Sequence, residues 1–297
     1  MIFINYYDEI KNELVNNEIT KKVKDYSKNR SDLTTYYNVG KLLSEAGKHY
    51  GEGIIKEYSK RLTNEFGTKF GITLLKRIRQ FYIVIEKGAT MSHQLSWSHY
   101  CELLPVNSID KINYYIKITK EQNLSIRELR TKIKNNEYER LDESTKEKLK
   151  EKEELKVPDL VKNPIQIKNT SGNNEISEKV LQKLILEDIP SFLDELGNGF
   201  TFVRNEYKIK IGDRYNYIDL LLFNYEFNCF VVVELKVSEL KKEHIGQIEF
   251  YMNYIDKNLK NINQNKTIGI IICKKENNYI IEYCSDDRIL AREYELI

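Results

Sequence analysis

The chain has 297 residues, enough for two domains of ordinary size. Hydrophobic residues make up 41% and charged residues 31%, which is typical of a globular protein and excludes disordered, collagen-like and membrane-spanning classes of chain. The 47 basic side chains nearly cancel the 45 acidic ones, and the net charge is only +2. Any surface that binds nucleic acid must therefore be a local cluster of basic residues.

The N-terminus predicts a cytoplasmic protein, and the cysteines and histidines indicate no disulfide or zinc site. Residues Met1–Asp8 lack the basic segment, apolar segment and cleavage site of a signal peptide. The four cysteines have no CxxC spacing, which favours free thiols over disulfides or zinc ligands. The four histidines are scattered and no GxxxxGK[ST] segment is present, so neither a zinc site nor nucleotide hydrolysis is predicted.

Residues 1–140 have the apolar spacing of three and four that predicts a helical domain. The clearest helix, Ile72–Lys87, carries its apolar residues on one stripe, and Lys76, Arg77 and Arg79 lie off that stripe. These basic residues predict contacts with DNA phosphates, although a solvated basic face is equally common. The alternative role for this domain is self-association into a homo-oligomer.

Residues 141–174 predict a charged helix that runs into a linker. The first part of the segment is mostly charged, and Pro158, Pro164 and the polar stretch 169–174 follow it. A second domain is then expected over residues 175–297.

The second domain has the element order αβββαββ, an α/β pattern. An amphipathic helix is predicted first, then three strands, a helix and two strands. Their predicted ranges, in chain order, are 176–196, 200–211, 215–224, 228–237, 240–259, 267–273 and 279–284.

Two of these strands carry isolated charged residues. Asp219 interrupts one apolar run, and Glu234 and Lys236 interrupt the next. If the turn between the strands is centred within 224–229, positions that sum to 453 are paired, and Asp219 is directly opposite Glu234. Opposed side chains lie about 5 Å apart at Cβ. A slip of one residue would place them on opposite faces of the sheet.

Two carboxylates this close repel each other unless a cation lies between them. Oxygen ligands from Asp219 and Glu234, with water and the Leu235 carbonyl, suit Mg²⁺ or Mn²⁺ better than zinc. Such a metal would activate a water, and Lys236 would orient that water or stabilise charge on a phosphate. The alternative is an ordinary hairpin with carboxylates at a wet edge and Lys236 as a solubility residue.

Several separated motifs resemble the YhcG family, and together they span nearly the whole chain except the linker. Those of the C-terminal half are similar to the family's PD-(D/E)XK nuclease domain, and they are FLDELGNGFTFV (192–203), YIDLLLF (217–223), VELK (233–236), GQIEFY (246–251) and IGIIICK (268–274). Those of the N-terminal half are similar to the family's helical domain, and they are GIIKEYSKRL (53–62), IRQFY (78–82), LSWSHY (95–100) and SIREL (125–129).

The resemblance implies a restriction-endonuclease-like domain with a mixed sheet. It places the metal ligands on Asp219 and Glu234 and the catalytic lysine on Lys236. Gln247 and Tyr251 resemble the Gln-x₃-Tyr element of some nucleases with this fold, and their spacing puts them on one helix face. They would form a wall of the substrate cleft, unless they are only a polar residue and a half-buried tyrosine beside the core.

The resemblance also implies an acidic residue from the first helix of this domain. Glu187 is the preferred candidate for this further metal ligand, and Glu178 is the second. The segment Arg204-Asn205-Glu206 departs from the Gly-Arg-Gln expected in the family. This departure puts a phosphate contact there in doubt and leaves the metal ligands unaffected.

The sequence thus predicts a nuclease that uses Mg²⁺ or Mn²⁺ to hydrolyse phosphodiester bonds in DNA. Two alternatives remain open, namely an RNA-directed nuclease and a catalytically silent DNA-binding or assembly protein with the same fold. Endonuclease or exonuclease action, sequence specificity and pathway are left open, and no membrane partner is expected.

Overall fold

The computed structural model describes residues 6–23, 28–51, 53–170, 172, 176–284 and 286–297. The chain divides into two compact units, Met1–Tyr138 and Glu139–Ile297, here called the helical unit and the sheet unit. Within the described residues, no helix combines the length and apolar character needed to cross a membrane. Residues 1–5 of the N-terminal segment used for the signal-peptide prediction lie outside the described residues.

The helical unit contains seven α-helices within its described part, as the apolar spacing predicts. Serine side chains begin three of them, since Ser96, Ser108 and Ser125 each accept a hydrogen bond from a backbone amide three residues later. The helices are α1 (Tyr6–Val23), α2 (Lys28–Tyr50), α3 (Ile54–Phe66), α4 (Ile72–Glu86), α5 (Trp97–Leu103), α6 (Ile109–Glu121) and α7 (Ile126–Lys134).

Helix α4 packs closely against α2. Its apolar residues Leu75, Ile78 and Phe81 are fully buried. Gly40 permits the close approach, because a Cβ added there would lie 2.5 Å from the Ile78 carbonyl oxygen.

The sheet unit contains one six-stranded mixed sheet in the order β1-β6-β5-β4-β3-β2. Strands β2, β3 and β4 are antiparallel, whereas β4, β5, β6 and β1 are parallel. The elements are α8 (Glu143–Glu151), α9 (Val157–Leu160), β1 (Ile165–Ile167), α10 (Glu178–Glu187), α11 (Ile189–Leu196), β2 (Phe200–Ile211), β3 (Arg214–Asn224), β4 (Cys229–Leu235), α12 (Lys242–Asn258), β5 (Asn265–Cys273), α13 (Asn278–Glu282) and β6 (Ile289–Leu296).

Helices cover both faces of this sheet. Leu181 of α10 and Phe192 of α11 belong to the core on one face, and Ile248 and Met252 of α12 belong to the core on the other. Gly269 of β5 lets α12 approach closely, since a Cβ there would lie 2.6 Å from the Met252 sulfur. The predicted fold class, a helical domain followed by an αβββαββ domain with a mixed sheet, is confirmed.

The structure corrects the linker predicted over residues 141–174. Strand β1 pairs with β6 as an edge of the sheet, and the buried side chains of Val157, Val161 and Ile165 belong to its core. The segment therefore belongs to the sheet unit up to β1. Of the polar stretch 169–174, residues 171, 173 and 174 lie outside the described residues.

Two further predicted elements differ from the structure. The helix predicted over 176–196 is two helices, because the backbone of Asp188 leaves the helical conformation and its side chain caps α11. The strand predicted over 279–284 is instead the short helix α13, and the last strand is β6. A short run of apolar residues does not distinguish a strand from a helix.

Candidate active site

Asp219 and Glu234 face each other at the end of the β3–β4 pairing. Leu220 pairs with Val233 and Asn224 with Cys229, which is the register predicted from the sequence. One step further along the strands places Asp219 opposite Glu234. The Asp219 side chain also joins the two strands, because its Oδ2 atom accepts a hydrogen bond of 2.8 Å from the Leu235 amide.

Both carboxyl groups are shifted toward their neutral form. Burial raises the pKa of Glu234 to about 8, with a further contribution from the charge of Asp219. Burial also raises the pKa of Asp219, against the opposing effect of the hydrogen bond from the Leu235 amide. Glu234 is only 2% exposed, and among the described residues its Oε1 atom has no hydrogen-bond partner.

Lys236 lies beside this pair and stays charged. Its Nζ atom donates a hydrogen bond of 3.3 Å to Glu234 Oε2. Burial alone would lower the pKa of Lys236, but the charges of Glu234, Glu178 and Asp219 outweigh it and raise that pKa. The lysine backbone is fixed as well, because its amide donates to the Ile272 carbonyl at 2.8 Å.

The donor set fits a hard divalent cation, although it is small. Within the described residues, no group of three or more His, Cys, Asp and Glu side chains is arranged to hold a metal ion. The protein ligands would therefore be Asp219 and Glu234, completed by water and by the predicted Leu235 carbonyl. The buried oxygen of Glu234 supports the fit, since a cation would supply the partner it lacks.

Gln247 and Tyr251 lie on α12 next to the carboxylates. Gln247 Nε2 donates a hydrogen bond of 3.2 Å to the Tyr251 hydroxyl oxygen. Burial raises the pKa of Tyr251, the hydrogen bond from Gln247 lowers it, and the charges of Glu234 and Asp219 raise it. The structure therefore brings both predicted α12 residues to the same end of the sheet as Lys236.

The structure favours Glu178 over Glu187 as the acidic residue from the first helix. The charge of Glu178 shifts the pKa values of Asp219 and Lys236. Glu187 instead accepts a hydrogen bond of 2.6 Å from the Thr170 hydroxyl and lies 3.8 Å from the Lys183 ammonium. The two residues stand at opposite ends of α10, about 13 Å apart along its axis, so only one of them can reach the site.

Two neighbours of the site were not predicted. Gln182, one turn after Glu178 on α10, donates a hydrogen bond of 3.1 Å to the Asp219 carbonyl. His244 on α12 is buried, and burial and then the charge of Lys236 lower its pKa. The spacing of four between Glu178 and Gln182 was a usable signal, whereas nothing in the sequence around His244 indicated its position.

The predicted basic residues of α4 do not form one uniform face. Lys76 and Arg77 are exposed, and Arg77 also lies near Cys101, whose pKa is raised by burial and lowered by Arg77. Arg79 is partly covered, because its guanidinium carbon would be 3.6 Å from a Cβ added at Gly47 of α2. Packing against α2 thus leaves Arg79 less accessible to a phosphate than Lys76 and Arg77.

Comparison with known proteins identifies both halves of the chain. A family model described as "YhcG PDDEXK nuclease domain" matches residues 158–297, and one described as "DUF1016 N-terminal domain" matches residues 9–140. The Escherichia coli (strain K12) protein named "Putative nuclease YhcG" is 26% identical over 330 residues, which cover 95% of this chain and 88% of that protein. The chain belongs to the YhcG family. Its sheet unit is accordingly a PDDEXK nuclease domain.

Solved structures resemble this YhcG-family chain only weakly. Two of them are titled "crystal structure of a repair endonuclease from Pyrococcus abyssi" and "Structure of EndoMS-dsDNA2 complex". Each has a TM-score of 0.29 and 18% identity over 43% of this chain, and the match spans 49% and 48% of those chains. At this TM-score the likeness says nothing about substrate.

Proposed function

We propose that the sheet unit hydrolyses phosphodiester bonds of DNA with a divalent cation, Mg²⁺ or Mn²⁺, held by Asp219 and Glu234. The observation that carries this proposal is a pair of opposed carboxylates beside a charged lysine, in which Glu234 is buried, Asp219 is half-buried and one Glu234 oxygen lacks a described partner. PDDEXK nucleases generally use divalent metal ions, which supports the same assignment.

When bound, the cation would lower the pKa of a water molecule and neutralise charge on the phosphate to be cleaved. The chain's own residues prepare this chemistry. The Leu235 amide fixes the Asp219 carboxylate by a hydrogen bond. Lys236 keeps its proton at neutral pH because of the surrounding carboxylates, so its Nζ acts as a donor to the phosphoryl oxygens or to the attacking water. Tyr251 and Gln247 line the same end of the sheet and would position the substrate strand.

Cleavage by site variants tests the proposal directly. Supercoiled plasmid is incubated with Mg²⁺, Mn²⁺ or EDTA and with the parent chain, Asp219→Asn, Glu234→Gln or Lys236→Ala. Each variant is expected to lose about 100-fold or more in rate, because one such electrostatic contact contributes that much to catalysis. Asp287→Asn, an exposed carboxylate change in the same unit, serves as the matched control. A Glu234→Gln protein that cleaves at the parent rate would contradict the proposed site.

Cation binding can be measured without cleavage. A cation that binds only the folded state raises the melting temperature by mass action, and about 100 times its Kd adds about 2.7 kcal/mol. Mg²⁺ or Mn²⁺ should therefore stabilise the parent, and Asp219→Asn should remove most of that gain. An equal gain in both proteins would place the cation elsewhere.

Substrate class is tested by the same assay with branched and linear DNA and with RNA of matched sequence. The proposal predicts cleavage of DNA. Preferential cleavage of RNA would favour the RNA-directed alternative. Tight DNA binding without turnover in either metal would favour a silent DNA-binding protein.

A further inference from the structure

Strands β2 and β3 continue beyond the rest of the sheet as a two-stranded ribbon. Strand β3 pairs with β4 over Leu220–Asn224, while its pairing with β2 continues out to Arg214. We call residues 205–211 and 214–219 the ribbon. Asp219, a proposed cation ligand, lies at the base of the ribbon, so the ribbon begins beside the candidate active site.

The two faces of the ribbon have opposite character. On one face, Ile209 and Ile218 are fully buried and belong to the core that includes Ile248 of α12. This packing fixes the position of the ribbon. The register places Lys208 opposite Tyr217 and Lys210 opposite Tyr215 on the other face, and these four residues are here called the ribbon face.

The ribbon face is exposed, basic and aromatic. Tyr215 and Tyr217 are 52% and 51% exposed, and Lys208 and Lys210 are exposed as well. The ribbon face itself carries two lysines and no acidic side chain. The local basic cluster that a nearly neutral chain needs for nucleic-acid binding is therefore present here.

The combination of lysines and tyrosines identifies the occupant. Lysine ammonium groups neutralise phosphates of either duplex or single-stranded DNA. Exposed aromatic rings stack on bases only when those bases are unpaired, because a duplex keeps its base faces inside its own stack. The Lys208 Nζ atom lies 3.7 Å from the centre of the Tyr215 ring, which holds the ring and a positive charge in one place.

We infer that the ribbon face binds a single-stranded segment of DNA and directs it toward Asp219. Lys208 and Lys210 contact phosphates, and Tyr215 and Tyr217 stack on unpaired bases. The choice of DNA rests on the proposed function, whereas the requirement for an unpaired strand rests on the exposed rings. The substrate class that follows is single-stranded DNA, or duplex DNA with a single-stranded branch or end.

Binding measured in EDTA tests this inference separately from cleavage. Fluorescence anisotropy of a labelled mixed-sequence oligonucleotide is recorded with the full-length chain. Tyr215→Ala/Tyr217→Ala should weaken binding about tenfold or more, since each stacked base contributes to affinity. Tyr215→Phe/Tyr217→Phe should restore most of the affinity, because the rings remain. Tyr279→Ala/Tyr283→Ala, which changes two other exposed tyrosines, should bind like the parent.

The role of the two lysines is tested by the salt dependence of binding. Lys208→Gln/Lys210→Gln should weaken binding and reduce the slope of log affinity against log salt by about 1.4, because each neutralised phosphate of a single strand contributes about 0.7. Lys257→Gln/Lys266→Gln is the matched control, since both lysines are exposed and lie at the other end of α12 and β5. Circular dichroism and melting temperature verify that every variant is folded.

Three results would overturn the inference. They are parent-like binding of single-stranded DNA by Tyr215→Ala/Tyr217→Ala, binding of blunt duplex at least as tight as that of the single strand, and tighter binding of RNA than of DNA of the same sequence. If the parent fails to cleave in Mg²⁺ or Mn²⁺ but the ribbon variants still lose single-strand binding, the catalytic proposal fails and this inference stands. If the parent cleaves and the ribbon variants bind like the parent, this inference alone fails.

Discussion

Glu234 buries a carboxylate oxygen that has no described hydrogen-bond partner. Leaving a buried polar atom unsatisfied costs about 1–3 kcal/mol, and more when the group is charged. Glu234 directly follows three buried valines in β4, and an apolar residue in its place would pack without this cost. An arrangement that costs stability at such a position is best explained by a ligand that the oxygen contacts.

At the residue scale, the hairpin register could be predicted from the sequence, but the third acidic residue could not. The pairing of Asp219 with Glu234 follows from turn position and apolar runs, both of which are local. Which end of α10 points at Asp219 depends instead on how that helix packs on the sheet. The sequence around Glu178 and Glu187 does not indicate how α10 packs, so it could not show which of the two lies near Asp219.

The assignment of Glu178 can be tested against Glu187 on the same helix. We expect Glu178→Gln to lower the cleavage rate about tenfold, because its charge reaches both Asp219 and Lys236. Glu187→Gln should stay within about twofold of the parent, since Glu187 contacts Thr170 and Lys183 rather than the site residues. Steady-state cleavage rates with Mg²⁺ measure both. A larger loss in Glu187→Gln would restore the original assignment.

At the element scale, α8, α9 and β1 have a composition that suggests a linker but contacts that make them part of the sheet unit. Their charges are paired within the unit, as when Lys148 contacts Asp159 at 2.8 Å. The buried Arg292 of β6 donates to the Val161 carbonyl at 3.1 Å and to Asp142 at 2.7 Å. Composition cannot distinguish a solvated charge from one that is paired across the sheet, so the sequence did not predict β1.

Glu276 gives this region a pH-dependent stability. Burial raises its pKa to about 7, opposed by the charge of Arg292 and helped by the charges of Glu293 and Asp142. Asn163 Nδ2 also donates to its Oε1 atom at 3.1 Å. A raised pKa means that the folded state holds the proton more tightly than the unfolded state does. The stabilisation that the Glu276 proton gives the folded state is fully present below the ordinary pKa of 4.5 and is lost as the pH rises through about 7.

We therefore expect Glu276→Gln to match the parent in stability at pH 5 and to exceed it at pH 8. The difference should be well below the about 3.5 kcal/mol that the full shift would give at about 1.4 kcal/mol per pKa unit, because solvent screens this partly exposed carboxyl group. Melting temperatures recorded from pH 5 to pH 8 in EDTA provide the measurement. Glu282→Gln, an exposed change in α13, should give a difference that does not vary with pH. A parent protein more stable than Glu276→Gln at pH 8 would contradict the assignment.

At the scale of the whole molecule, the extent of the sheet unit determines which fragment can fold. A fragment of residues 139–297 keeps the complete sheet, whereas residues 175–297 lack four buried core residues, Val157, Val161, Ile165 and Ile167. Their burial contributes roughly 6 kcal/mol or more, comparable with the total stability of about 5–15 kcal/mol of a typical domain. We expect the longer fragment to unfold cooperatively and the shorter one to be unfolded or aggregated, as measured by circular dichroism during heating. Equal cooperativity would mean that the segment is dispensable.

The helical unit poses the remaining question, which is whether its basic residues contact DNA. The sequence predicted Lys76, Arg77 and Arg79 as phosphate contacts, but the packing of Arg79 beside Gly47 leaves Lys76 and Arg77 as the exposed pair. Replacing these two by Gln should weaken duplex binding and reduce the salt slope by about 1.8, because each phosphate of duplex DNA contributes about 0.9.

Arg79→Gln provides the contrast within α4. It should leave the salt slope unchanged and lower the melting temperature of the helical unit, since the guanidinium packs against α2. Anisotropy titrations at several salt concentrations, recorded in EDTA with full-length protein, measure the slopes. If the slope of Lys76→Gln/Arg77→Gln equals that of the parent, these residues are merely solvated. The helical unit would then be assigned to self-association, which sedimentation of the parent protein would test.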